Sequence, residues 1–303
     1  MRMMIRTLLY LPGLFILLAG CTASKPETTM HALRQQITEE LEKQEGTFAV
    51  AFKDMATGEE LLLNERESFH AASTMKTPVL IEAYKQAAAG KLSLSDSILV
   101  RNGFKSIMDG SMYSISPVDD SEQELYTFVG QKRPVSELLY KMIIQSSNLA
   151  TNLMIEELDA KQVTQTMREL GAQDIQVLRG VEDSKAYEQG LNNTTTAYDL
   201  MLIFEQIATG KAVNPEASQE MIRILLDQRH REIIPARLPK EVKVAHKTGW
   251  ITGVRHDSGI VILPDGQKYV LVLLSKDLKD EKAGMEAMAK VSELVYKYVA
   301  GKE

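Results

Sequence analysis

The 303-residue sequence has a single cysteine, Cys21, and a single tryptophan, Trp250. One thiol leaves no disulfide and no thiolate metal site within the chain. Positive charge is also short. The formal net charge is −6, and setting aside residues 1–20, which hold Arg2 and Arg6 but no acid, takes it to −8. No basic stripe interleaves with the few aromatics, so nucleic acid is not an expected partner. The zinc pattern H-E-x-x-H, a phosphate-cradling glycine loop and the G-x-S-x-G nucleophile elbow are all absent. No metal and no cofactor is expected.

Long apolar runs are equally scarce. The one near the N-terminus, Leu8 to Leu18, is too short to span a bilayer comfortably. It follows Arg2 and Arg6 and ends in Ala19 and Gly20, which is the pattern of a secretory leader over residues 1–20. Leu18-Ala19-Gly20-Cys21 resembles a bacterial lipobox. The resemblance implies lipidation at Cys21, with the exported body held at a bacterial membrane in the periplasm or cell envelope. A chance cysteine beside an ordinary cleavage site is the alternative. Residues 21–29 are polar and include Pro26, as a tether would be.

Apolar residues at 44% and charged residues at 25% describe a globular body. Leu33, Ile37 and Leu41 recur at helical spacing, so a helix is expected over about residues 29–44. Thr47 to Lys53 and Glu59 to Asn64 read as strands, as do Val242 to His246, Val254 to Leu263 and Lys268 to Ser275. Pro264-Asp265-Gly266 joins the last two as a hairpin. Met285, Met288, Val291, Leu294, Val295 and Tyr298 mark a closing helix, and the middle of the chain is patterned as helices. The expected fold is α+β, one domain over about residues 30–300. A five-stranded antiparallel sheet comes from both chain ends, about 30–66 and 213–300, and an all-helical lobe, about 67–212, is inserted. A site belongs in the cleft between such lobes.

Three short segments carry chemistry. Ser73-Thr74-Met75-Lys76 opens a helix, and at i, i+3 the hydroxyl and amine share a face. A serine in a first helical turn has free N–H groups beside it for a developing anion. A lysine whose pKa is depressed can take its proton. A helix start with a solvated lysine has the same letters. Lys247-Thr248-Gly249, followed by Trp250, ends a strand, where an amine and a hydroxyl can grip a carboxylate and the glycine admits substrate backbone. Ser146-Ser147-Asn148 follows a helix, with Ser146 in phase with the apolar stripe of Leu139, Met142 and Ile143. It reads either as buried polar groups needing partners or as a helix cap.

In this order and separation the three segments resemble the serine β-lactamases and penicillin-binding proteins, class A β-lactamases above all. Asn148-Leu149-Ala150-Thr151-Asn152-Leu153 and Thr194-Thr195-Thr196-Ala197 extend the resemblance, which spans roughly residues 30–300. It implies that Ser73 attacks a carbonyl, with Lys76 as candidate base. Ser146 passes a proton to the leaving nitrogen beside Lys247. Asn148 and Thr248 bind the substrate's amide and carboxylate, and the amides of Ser73 and Trp250 form the oxyanion hole. The implied substrate is a small β-lactam or an acyl-D-alanyl compound, and the implied state a monomer. A D-alanyl-D-alanine peptidase, a small ester or amide hydrolase, and a non-catalytic binding lipoprotein remain alternatives.

The sequence also departs from the pattern. Ser147 stands where class A enzymes usually carry a structural aspartate. By position the water-activating carboxylate is Glu182, which follows Arg179 but lacks a downstream asparagine because Ala186 stands there. By motif Glu188 fits, in Glu188-Gln189-Gly190-Leu191-Asn192, but it crowds Thr194 and shortens the loop, so Glu182 is preferred. A solvated loop carboxylate is the alternative for either. Ser258 occupies the position of a familiar arginine, leaving Arg255 or His256 as candidate cations for a substrate carboxylate. His246 and His256 read as packed or strand-surface histidines. Asp119-Asp120-Ser121-Glu122 reads as a solvated acidic loop. It lies in a stretch, Arg101 to Arg133, that is longer than the family's usual connection and is placed to reshape the entrance.

Overall fold

Helical and alternating patterns at the N-terminal end become α1 (Met30–Leu41), β1 (Thr47–Asp54) and β2 (Glu60–Leu63) in the computed structural model, which describes residues 29–301. The leader, Cys21 and the tether up to residue 28 lie outside the described residues. Thr29 caps α1 by accepting the Ala32 N–H, and Leu33, Ile37 and Leu41 are its buried stripe.

The inserted segment begins with β3 (Phe69–His70), a 3-10 turn over Ala72–Met75 and α2 (Lys76–Ala88). Short strands β4 (Ser97–Leu99), β5 (Phe104–Lys105), β6 (Met112–Tyr113) and β7 (Lys132–Pro134) follow, with a 3-10 turn over Glu124–Phe128. Then come α3 (Val135–Ile144), α4 (Asn148–Leu158), α5 (Ala160–Glu169), α6 (Ser184–Glu188), β8 (Thr194–Thr195) and α7 (Ala197–Ala208). The lobe expected to be all helical therefore also carries three two-stranded ladders, β3 with β8, β4 with β7 and β5 with β6. Runs of two or three residues are too short to show a period of two, which is why the sequence hid them.

The chain returns through α8 (Pro215–Leu226), capped by Asn214 with Pro215 in its first turn, to β9 (Lys243–Ile251), β10 (Val254–Ile262), β11 (Lys268–Lys276) and α9 (Glu281–Ala300). The sheet order is β2-β1-β11-β10-β9, all antiparallel, as the strand pattern implied. Gly266, at φ 93°, makes the expected hairpin turn.

Both faces of this sheet are buried, and the pleat sorts its side chains between two cores. Phe48, Val50, Phe52, Leu271 and Leu273 face α1 and α9, whereas Ala49, Ala51, Val270, Val272 and Leu274 face the inserted helices. The small alanines of β1 let α7 lie close against the sheet. β9 is the edge strand, and the lysine motif lies within it because pairing with β10 continues to Ile251↔Val254. That edge runs alongside the 3-10 turn that holds Ser73.

Candidate active site

Ser73 sits partly buried in the 3-10 turn that feeds α2. The turn is fixed from both sides. The Ala71 N–H donates to Asn193 O at 2.8 Å, and the Thr74 hydroxyl donates to Ala71 O at 2.6 Å. Ala72, immediately before the serine, is held at φ 45°, a left-handed conformation costing about 1 kcal/mol for a residue with a Cβ. Gly249 packs on the same turn. A Cβ there would stand 3.1 Å from the amide nitrogens of both Ser73 and Thr74, so the glycine permits the close approach of β9 to the nucleophile.

At the first residue of α2, Lys76 is fully buried. Its amine donates to Ser146 O (2.7 Å), Asn148 Oδ1 (2.9 Å) and Ser146 Oγ (3.2 Å), one acceptor for each ammonium proton. Lys247, also fully buried, reaches the same Ser146 Oγ at 3.0 Å and donates to Thr248 O at 2.8 Å. Two amines thus flank one hydroxyl. Burial pushes the Lys76 amine down to about 7, against the opposing pull of Asp120 and Glu182. Burial also pushes Lys247 down, and the neighbouring Lys76 cation adds to this. Both shifts favour the neutral amine, the form whose lone pair can take a proton.

Above these groups lies a cleft of about 310 Å³, lined among others by Ser73, Asn148, Glu182, His70, Tyr187 and Trp250. Glu182 enters it from a loop clamped by Asn152. The Asn152 amide oxygen accepts the Val181 N–H at 2.6 Å, and its nitrogen donates to Val181 O at 3.0 Å. Gly180 makes room for that clamp, since a Cβ there would come within 2.4 Å of Asn152 Oδ1. Asn148 donates to Glu182 Oε1 at 3.2 Å, so one amide touches both Lys76 and Glu182. Glu182 is exposed and held at φ 63°. Glu188 ends α6, exposed and outside the cleft lining, whereas Glu182, the candidate preferred by position, lines it. Arg179 supports the loop from within. It is buried and donates to Leu191 O, Gly180 O and Asn192 Oδ1.

Several expectations need correction. Ser146 does not continue the stripe of α3, because that helix ends at Ile144 and Ser146 turns the chain at φ 59°. Its hydroxyl reaches the amines by this reversal and not by helical phase. Asp119-Asp120-Ser121-Glu122 is not a solvated loop: Asp120 and Glu122 are almost wholly buried. Lys141 pairs with Glu122 at 2.9 Å, a partner 19 residues away that the local charge run does not reveal. The surrounding stretch does not line the cleft. It buttresses the loop that does, through Asp183 accepting from Ser106 Oγ (2.8 Å) and the Ile107 N–H (2.9 Å).

Neither candidate cation for a substrate carboxylate is free. Arg255 is engaged by Glu281 and stacks over Trp250, and burial pushes buried His256 down to about 4, so it is neutral. His246 is fully buried, 2.8 Å from Asp257 through Nδ1, which makes it a packed histidine. Ser147 caps α4 by accepting the Ala150 N–H at 3.2 Å, so the cap reading of the second motif holds together with the chemical one. Signals missed in the sequence include Asn152 and Asn193, whose roles depend on loops folding back onto them.

With this geometry in view, comparison with known proteins gives consistent matches. The model of the β-lactamase enzyme family matches residues 32–299. A β-lactamase of Rhodobacter capsulatus is 27% identical over 263 residues, covering 84% of this chain and 83% of the relative. Among solved structures, PBP-A superposes with a TM-score of 0.78 at 27% identity, covering 91% of this chain and 98% of the other. A PBP-A variant solved as its acyl-enzyme complex with penicillin G superposes with a TM-score of 0.74 at 26% identity, covering 91% and 99%.

Proposed function

The chain belongs to the β-lactamase enzyme family, and from that premise we propose that it opens β-lactam rings through an acyl-enzyme on Ser73. The observation that carries the reading is the single Ser146 hydroxyl held between two buried amines beneath a cleft that presents Ser73. Neutral Lys76 takes the Ser73 proton as Oγ adds to the ring carbonyl. The N–H groups of Ser73 and Trp250 receive the oxyanion. As the ring C–N bond breaks, Ser146 gives its proton to nitrogen, and the flanking amines replace it. Glu182 then deprotonates a water that attacks the ester carbonyl, and as the acyl C–Oγ bond breaks a proton returns from Glu182 to Ser73 Oγ, releasing the acid and restoring both residues. Asn148 and Thr248 hold the substrate's amide and carboxylate, and Lys247 donates to the Ser146 hydroxyl beside them.

Incubation with a penicillin, followed by intact mass and ring opening together, tests this. Hydrolysis through a transient adduct on Ser73 supports it. Absence of any adduct, with Ser73→Ala leaving all hydrolysis unchanged, defeats it. One observation favours a slower, peptidase-like relative: Glu182 is exposed and rests on a single 3.2 Å contact from Asn148. A stable adduct with little turnover is the outcome that supports that second reading.

The lipid anchor at Cys21, with the catalytic body in the periplasm or cell envelope, is a proposal resting on Leu18-Ala19-Gly20-Cys21 alone. Membrane fractionation of Cys21→Ser tests it. A variant that stays with the membrane as the parent does removes the anchor. A monomeric state is proposed alongside, with the sedimentation coefficient as its check.

A further inference from the structure

The second motif lacks its usual aspartate, yet a carboxylate still meets the helix that the motif begins. Asp120, nearly fully buried, accepts the Asn148 N–H with both oxygens at 3.0 Å and the Leu149 N–H at 3.0 Å. Ser147 accepts the next free donor, the Ala150 N–H. The first three amides of α4 are therefore satisfied by one carboxylate from outside and one hydroxyl from inside. The Tyr126 hydroxyl, 2.8 Å away, and the Glu122 N–H hold the Asp120 carboxylate in place.

The same segment grips the other side of the turn. Lys141 of α3 pairs with Glu122 and Glu124, and Lys141 O accepts the N–H groups of Gln145 and Ser147. Ser146, at φ 59°, is thus clamped between a lysine held by two acids of this segment and an α4 start held by a third. That clamp aims the Ser146 carbonyl and hydroxyl at Lys76.

We infer that Asp120 is a positioning residue for acyl transfer, supplying from the Arg101–Arg133 stretch the carboxylate that Ser147 displaces from the second motif. The inference rests on the acyl-enzyme reading above. Asp120 is also the carboxylate that most favours the Lys76 cation, ahead of Glu182 and against the burial that favours the neutral amine, while Lys247 packs beside the same Ser146 hydroxyl from β9. Glu122 is neutralised by Lys141, and burial together with Asp120 pushes the Tyr126 hydroxyl up, so that it stays neutral.

Rapid-quench mass analysis of Ser73 acylation by a penicillin from pH 5 to 9, with melting temperature as a folding control, tests this. Asp120→Asn should slow acylation about tenfold or more, through loss of a charged acceptor at the turn. Its acid limb should also move to lower pH by about one unit, since removing a negative charge favours the neutral amine. Loss of a mere helix cap would slow the reaction without moving the limb. Ser147→Asp alone crowds two carboxylates at one helix start and should slow acylation, whereas Asp120→Asn with Ser147→Asp should recover to within a few-fold of the parent.

An Asp120→Asn variant with parental rate and limb overturns the inference. So does a double variant worse than either single change. If Asp120→Asn does not fold, the double variant decides: recovered folding and acylation support the inference, and no recovery overturns it. A parent that forms no adduct defeats the acyl-enzyme reading first and this inference with it, an outcome distinct from failure of the variants alone.

Discussion

The floor of the cleft and its loop wall are built differently. Lys76, Ser146 and Lys247 are buried, and each takes its place from an element of the core or from the turn between two core helices. Glu182 is exposed, strained at φ 63°, and reaches the cleft on a loop whose shape depends on Asn152, Arg179 and Asp183. Burial makes the floor reactive, because desolvation favours neutral amines. The wall is open to solvent at Glu182. On the proposed mechanism the buried floor serves acylation and the loop wall serves deacylation, so substitutions in the two should affect different steps.

Substitutions can break this division, beginning with the largest effect. Ser73→Ala should abolish the adduct and lower turnover by about 10⁴-fold or more, measured by ring opening. Lys76→Ala should slow acylation by about 10²- to 10⁴-fold in single-turnover mass measurements, the range of a lost acid–base group. Glu182→Gln should lower kcat by about 10²- to 10³-fold and let the acyl form accumulate, with acylation changed only a few-fold. Asn152→Ala removes two hydrogen bonds to Val181 and should slow deacylation by about 5- to 30-fold while acylation holds, which chase experiments on the pre-formed adduct would show. Glu188→Gln should leave both steps within about twofold, the ordinary scale for an exposed residue outside the site. If it trapped the adduct instead, the loop assignment would be wrong.

Legibility in the sequence followed the same division. The sheet could be read because β1 and β11 alternate between two cores, and α1 could be read because Leu33, Ile37 and Leu41 recur at helical spacing. Ser73, Lys76, Ser146 and Lys247 stood out as letters, and the fold brings all four to one place. Their backbone states did not. Ala72, Ser146 and Glu182 are left-handed, yet none is glycine or asparagine, so tertiary contacts impose conformations that local preference opposes. Asp120 was misread because a run of acids is ordinarily solvated, and its partners at Asn148 and Leu149 lie 28 and 29 residues away. Glu182 and Glu188 differ by six positions; the place after Arg179 favoured Glu182, while the Asn152 clamp on Val181 that holds its loop was not legible.

The most direct test of the buried-amine mechanism is the pH dependence of Ser73 acylation, followed by rapid-quench mass measurement with a penicillin. Lys76 must be neutral to accept the serine proton, and its burial places that change at about 7. Acylation should therefore rise through neutral pH to a plateau, and at pH 5 it should run at on the order of a hundredth of that plateau. A rate flat from pH 5 to 9, or a limb at about pH 4–5 as for an ordinary carboxylate base, would contradict it.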